Sequence, residues 1–221
     1  MKKKTKNNKK NTKRVLLVIC SILCLYFIGG IVYCILKKNI VDSKEKVDNG
    51  IQIKGFEYIL YNSHPKLYKN EFKILKTNLE NNNINYQEYA KSISKMFIID
   101  LYNLNNKKNM YDVGGIVFVY PDARDNFKTN VTNTLYKYMK DINDGKRKQQ
   151  LPEIKSVEVK SINDNKYNIA ESEYEGYKVI IHAEYVKDLG YDKDSEIVII
   201  KKDKYLYIVE RNNIEEKNDI Q

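Results

Sequence analysis

Tyr86 to Leu104 reads YQEYAKSISKMFIIDLYNL, and the rest of the fold can be worked outward from it. Tyr86, Tyr89, Ala90, Ile93, Phe97, Leu101 and Leu104 recur at helical spacing and draw a broad apolar stripe. Asn85 stands where an N-cap is needed, and Glu88 three residues on approaches a capping box. This is the central helix of a folded domain. Asp100 falls three residues after Phe97, at the edge of the stripe. A carboxylate there can enter a cavity and have its pKa raised, as a general base requires. It can equally bond a backbone group or face solvent, because one acid without a partner does not define a site.

Upstream, the spacing of Tyr68, Phe72, Leu75 and Leu79 predicts a helix from Pro65 to Leu79, with Ser63 as its cap and Pro65 in its first turn. Asn81-Asn82-Asn83 ends it. Downstream, Ile116 to Tyr120 is short, apolar and partly β-branched, which predicts a buried strand. Gly114 and Gly115 before it mark a turn or a close backbone approach. A third helix is expected from Asp122 to Asp141, with Pro121 at its start and Phe127, Val131, Leu135 and Tyr138 on one face. Asp122 and Asp125 suit the positive end of its dipole.

After Pro152 the period becomes two. Val157 and Val159 alternate with polar residues, and Tyr177, Val179, Ile181, Ala183 and Tyr185 form one face of a long strand. Ile197 to Ile200 follows, then a turn at Lys201 to Lys204, then Tyr205 to Val209. Short connections between consecutive strands favour an antiparallel meander. Helices followed by such a sheet give an α+β domain, helices packed on a curved antiparallel sheet.

Val15 to Leu36 reads VLLVICSILCLYFIGGIVYCIL, which is 22 residues without a charge. About 20 apolar residues span a bilayer as a helix, the only simple form that satisfies its own backbone in lipid. The preceding 14 residues hold seven Lys, one Arg and no acid. The positive-inside rule therefore places the N-terminus in the cytoplasm and the domain outside. The run is longer than a signal-peptide core and ends without a small-x-small cleavage site, so it reads as an uncleaved anchor. The expected layout is a basic tail at 1–14, a transmembrane helix at 15–36, a linker at 37–54, an extracytoplasmic domain at 55–211 and a polar tail at 212–221.

The net charge of +10 belongs to the tail, because the remainder carries 31 basic against 29 acidic residues. A near-neutral domain lacks the concentrated basic surface of a nucleic-acid binder. Cys20, Cys24 and Cys34 all lie in the apolar segment, which leaves the domain without a disulfide, a thiolate metal site or a cysteine nucleophile. His64 and His182 are the only histidines, too few for a three-histidine zinc site. No phosphate-binding glycine loop, HExxH or GxSxG is present. No cofactor or metal is expected.

The order helix, helix, short strand, helix and then consecutive strands resembles the nuclear-transport-factor-two-like α+β cone, over roughly Phe56 to Arg211. The resemblance implies a bent sheet wrapped around a long helix. Membrane-anchored domains of this shape in conjugation and type IV secretion machines share the layout of tail, helix and domain. It rests on element order and carries over no functional residue.

Two places stand out as candidate ligand-binding sites. Asp122-Ala-Arg-Asp125 is the densest polar cluster beside buried elements. As a ligand rim, Arg124 would hold a carboxylate or phosphate and Asp122 or Asp125 would act as base. As structure, the same residues are a helix cap and a surface ion pair. Asp100 is the other candidate. The chain has 19 tyrosines, two of them (Tyr26 and Tyr33) in the apolar segment, and exposed tyrosines suit a protein-binding surface. The expected role is a non-enzymatic scaffold domain of a bacterial cell-envelope complex, for conjugation or secretion. Its partners would be the bilayer, through Val15 to Leu36, and other envelope proteins or further copies of itself. The alternative is a small-ligand-binding or hydrolytic cone with a carboxylate in its cavity.

Overall fold

The structure, a computed structural model, describes Gly30 and residues 50–142, 147–169 and 171–214. The basic tail, the rest of the expected membrane segment, the linker up to residue 49 and residues 215–221 lie outside the described residues. Among the described residues, no helix is long and apolar enough to cross a membrane.

The domain is α+β, with three helices packed on a four-stranded antiparallel sheet. A small hairpin comes first, β1 (Ile51–Gln52) against β2 (Ile59–Leu60). Ile53 beside it is fully buried, so residues read as linker already contribute to the core. Helix α1 is Lys66–Leu79 and buries the four apolar residues expected of it. Pro65, rather than Ser63, occupies the N-cap, and no side chain caps the helix there. A proline fits because it has no N–H to leave unsatisfied.

Helix α2 is Tyr86–Tyr102. Its Asn85 cap accepts from the Glu88 backbone N–H at 3.1 Å, as the sequence predicts. The burial of α2 runs beyond a stripe, since Met96, Ile98 and Ile99 are buried along with Ile93, Phe97 and Leu101. The reason is its position: α1 packs on one side and the strands on the other. A helix covered on opposite sides must be apolar nearly all round.

The segment Ile116 to Tyr120 is not a strand. Ile116–Phe118 is a 3-10 turn, set up by Gly115 at φ 80°. That left-handed conformation turns the chain, so only Val119 reaches the sheet, in a single parallel bridge to Ile208. Phe118 is still fully buried, so the apolar run marks burial correctly and its geometry wrongly. A second 3-10 turn, Pro121–Ala123, leads into α3 (Arg124–Asn133). The helix ends eight residues short of Asp141. The Tyr136 N–H reaches back five residues to the Val131 carbonyl, which opens the helical register. This turns Tyr136 inward, where its hydroxyl donates to the Leu101 carbonyl at 2.7 Å, and leaves Tyr138 exposed.

The sheet contains β3 (Ile154–Ile169), β4 (Ser172–Tyr185), β5 (Asp194–Lys202) and β6 (Tyr205–Asn213) in sequence order, all antiparallel. It is the meander that the period-two pattern predicts. Val179, Ile181 and Ala183 of β4 are buried in the core with Ile197 and Ile199 of β5 and Leu206 and Ile208 of β6.

Several tyrosines work as buried struts. The Tyr58 and Tyr89 hydroxyls hydrogen-bond each other at 2.6 Å, and the Tyr89 oxygen accepts from the Leu206 N–H at 3.4 Å. Burial pushes the phenols of Tyr58, Tyr68, Tyr89 and Tyr136 well above their ordinary value of 10.0. Above that value the unfolded chain has released these protons while the folded chain still holds them. Stability present below about pH 10 is therefore lost as the pH rises, by about 1.4 kcal/mol per unit for each tyrosine. An alkaline titration followed at 295 nm should show these phenolates forming only together with unfolding. Independent ionisation of every tyrosine near pH 10 in the folded protein would contradict this burial.

Candidate functional site

Asp100, at the end of α2, is 8 % exposed. One carboxylate oxygen meets the Lys107 ammonium at 2.5 Å, and the other accepts from the Gly115 N–H at 2.7 Å. Lys107 is itself buried. Both oxygens are engaged in fastening the loop that follows α2 onto the helix. The structure assigns Asp100 the work of a latch between α2 and the turn at Gly115.

Arg124 is held just as firmly. Its Nε donates to the Val119 carbonyl at 3.1 Å, and Nη2 donates to the Val117 carbonyl at 3.2 Å and to Glu57 at 2.6 Å. The guanidinium therefore clamps the 3-10 turn and ties the α3 start to the β1–β2 hairpin region. Asp122 is exposed and borders a small niche of about 160 Å³ with Tyr120, Lys202 and Tyr207. Asp125 is exposed in the first turn of α3, where it suits the helix dipole. Asp122, Arg124 and Asp125 stay neighbours in the chain, while Asp100 bonds to different partners. His182 pairs with Asp194 at 2.9 Å across β4 and β5, and His64 Nδ1 accepts from the Tyr61 N–H at 3.0 Å. Among the described residues, no group of three or more His, Cys, Asp or Glu could hold a metal ion.

Apolar walls and polar groups converge elsewhere. A cleft of about 430 Å³ opens between α2, α3, the loop before β5 and the end of β6. Phe97, Leu101, Phe127, Val131 and Ile208 are among its walls, and Asn130 of α3 and Thr134 just after it stand at its side. Arg211 and Asp192 supply charge. Pockets that hold small ligands share this make-up of apolar walls with a few placed polar groups.

Arg211 reaches the cleft because β6 carries a bulge. Ile199 faces Ile208 across the ladder, but Val198 faces Glu210, so Val209 is an extra residue. Strict alternation from Leu206 and Ile208 would send Glu210 inward. The bulge shifts the phase by one and sends Arg211 inward, opposite the buried Ile197. Bulges re-aim side chains in this way. A usable signal is present in the sequence: Glu210 is an acidic residue at the inward parity of a strand whose inward positions are apolar up to that point.

The Arg211 guanidinium is only partly satisfied. Nη2 donates to Ser195 Oγ at 3.2 Å, and the Cζ atom lies 5.2 Å from the Tyr102 ring centroid. Nε is buried and has no hydrogen-bond partner. Asp192 does not neutralise it, since its carboxylate accepts from the Asn213 side-chain amide and forms no ion pair among the described residues. None of Asp100, Asp122, Arg124 and Asp125 lines the cleft.

No family model, no curated protein and no solved structure matches this chain.

Proposed function

We propose that this chain is a membrane-anchored, non-enzymatic assembly domain of a bacterial cell-envelope complex, held outside the cell by the apolar segment Val15 to Leu36. The basic tail and the uncharged segment support the anchor and its orientation. Helices laid on one face of an antiparallel meander support the nuclear-transport-factor-two-like reading, with a conjugation or secretion machine as the setting.

The observation that carries the assembly role is the β3–β4 ribbon. The last β4 residue paired to β5 is Gly176, opposite Ile200. Past it, Lys166 pairs with Glu175, Tyr167 with Tyr174, Asn168 with Glu173 and Ile169 with Ser172, and β5 supplies no third strand. A ribbon that runs on past its sheet presents free strand edges, which other chains can pair with. An isolated two-stranded ribbon is marginal in water, so a partner would stabilise this one.

The test is site-specific photo-crosslinking of the full chain in intact cells. A photoreactive residue at Asn168 or Glu173 should give one discrete adduct, with an envelope protein or with a second copy of the chain. The same residue at Lys73, exposed on α1, should not give it. No ribbon adduct, or the same adducts from all three positions, would reject the assembly role. A second reading, a ligand-binding domain, is favoured by the cleft beside Arg211.

A further inference from the structure

We infer that the cleft beside Arg211 binds a small amphipathic carboxylic acid, with its carboxylate on the guanidinium and its apolar body against Phe97, Leu101, Phe127, Val131 and Ile208. The inference deepens the ligand-binding reading and rests on it; it does not depend on the assembly role.

The first argument is charge. Arg211 is half-buried, and the part of a cation taken out of water is costly unless it is paired and hydrogen-bonded. Arg211 makes one hydrogen bond, to Ser195, and Nε is buried with no acceptor. The Tyr102 ring compensates in part, as a cation over an aromatic face does. The two carboxylates in the lining, Asp192 and Glu210, are exposed and accept from the Asn213 and Asn212 side chains, and neither forms an ion pair with Arg211 among the described residues. The site therefore holds a planar donor fork that lacks an anion.

The second argument selects the anion. A single guanidinium matches a carboxylate in shape and charge. A phosphate dianion would call for a second cation, and Arg211 is the only Lys or Arg lining the cleft. The third argument is the wall. Phe97, Leu101 and Ile208 are buried apolar side chains that hold no water well, and the volume of about 430 Å³ falls in the range for small ligands. An apolar tail joined to one carboxylate satisfies wall and fork together.

The protein supports this arrangement from behind. The bulge at Val209 sets the direction of Arg211, and Ser195 and Tyr102 hold its plane. A supported side chain loses less entropy when a ligand arrives.

The experiment uses the full chain in lipid nanodiscs. Binding of 3-phenylpropionate and of its neutral amide is followed by ligand-observed NMR. The acid is expected to bind saturably, and the amide at least about tenfold more weakly, as loss of a charged hydrogen bond implies. Arg211→Met should weaken the acid by about the same factor and leave the amide unchanged. Leu135→Trp, which fills the cleft from the turn after α3 and leaves Arg211 in place, should abolish binding of both. Arg211→Met removes the unpaired Nε donor but also the hydrogen bond to Ser195, so its melting curve is recorded to check that it is folded. Equal affinity for acid and amide would overturn the inference, and so would acid binding that survives Leu135→Trp or no saturable binding at all. The comparison of acid with amide needs no variant, so a misfolded mutant cannot hide the answer. Failure here, together with a ribbon crosslink, would leave the assembly role standing.

Discussion

Asp100→Ala lowers the unfolding free energy by about 3–5 kcal/mol in a urea titration of the protein, as expected for breaking a buried ion pair from one side. The substitution strands the Lys107 ammonium, itself 6 % exposed, without a counter-charge. It also removes the acceptor of the Gly115 N–H. An orphaned buried donor adds its own cost of about 1–3 kcal/mol, and the two losses overlap because they share one loop. Replacing both partners, as in Asp100→Leu with Lys107→Met, should recover much of the loss, since a buried pair is often no better than apolar residues of similar size. A drop below about 1 kcal/mol for Asp100→Ala would mean that Lys107 finds water or another partner.

The same measurement separates two roles for Asp100. A catalytic carboxylate in a cavity is commonly removed at little cost to stability, because function and stability trade against each other at such sites. A latch behaves the other way. Its seven-residue separation from Lys107 spans the end of α2 and a loop, so no helical or strand period could pair the two. The partners of Arg124 were hidden for a similar reason. Its acceptors are two carbonyls in a 3-10 turn and a glutamate 67 residues away. The sequence shows donors and acids but not which loop will fold back over them.

What was legible is what depends on local repetition. The α2 stripe and its Asn85 cap follow from spacing within one helix, and the meander follows from a period of two over consecutive strands. What was not legible depends on an interrupted period. The apolar run Ile116 to Tyr120 is too short to distinguish a strand from a turn, and Gly115 decides the matter through its φ. The inward turn of Arg211 requires one extra residue in β6, which alternation alone sends the wrong way. The cleft was therefore missed even though Phe97 and Leu101 of α2 and Ile208 of β6 belong to elements read from their periods.

Gly176→Ala is expected to destabilise the protein by about 2–3 kcal/mol, against the usual direction for this exchange in a strand. Alanine normally gains by restricting the unfolded chain. Here a Cβ on Gly176 would stand 2.0 Å from the Ile199 carbonyl oxygen, 3.0 Å from its carbon and 3.1 Å from the Ile200 Cα. All three atoms are backbone, so no rotamer change relieves the overlap. β4 and β5 must move apart at Gly176 and Ile200, the last pair before the ribbon runs free. Hydrogen exchange should therefore speed up at the ribbon end of the β4–β5 ladder and stay unchanged at its His182 and Asp194 end. Gly190→Ala is the control: nothing lies within 4 Å of its Cβ, and only the left-handed φ of 78° opposes it. That control should cost about 1–2 kcal/mol, the handedness penalty alone. If Gly176→Ala proved as stable as the parent, the close approach of the two strands would be wrong, and with it the point at which the ribbon leaves the sheet.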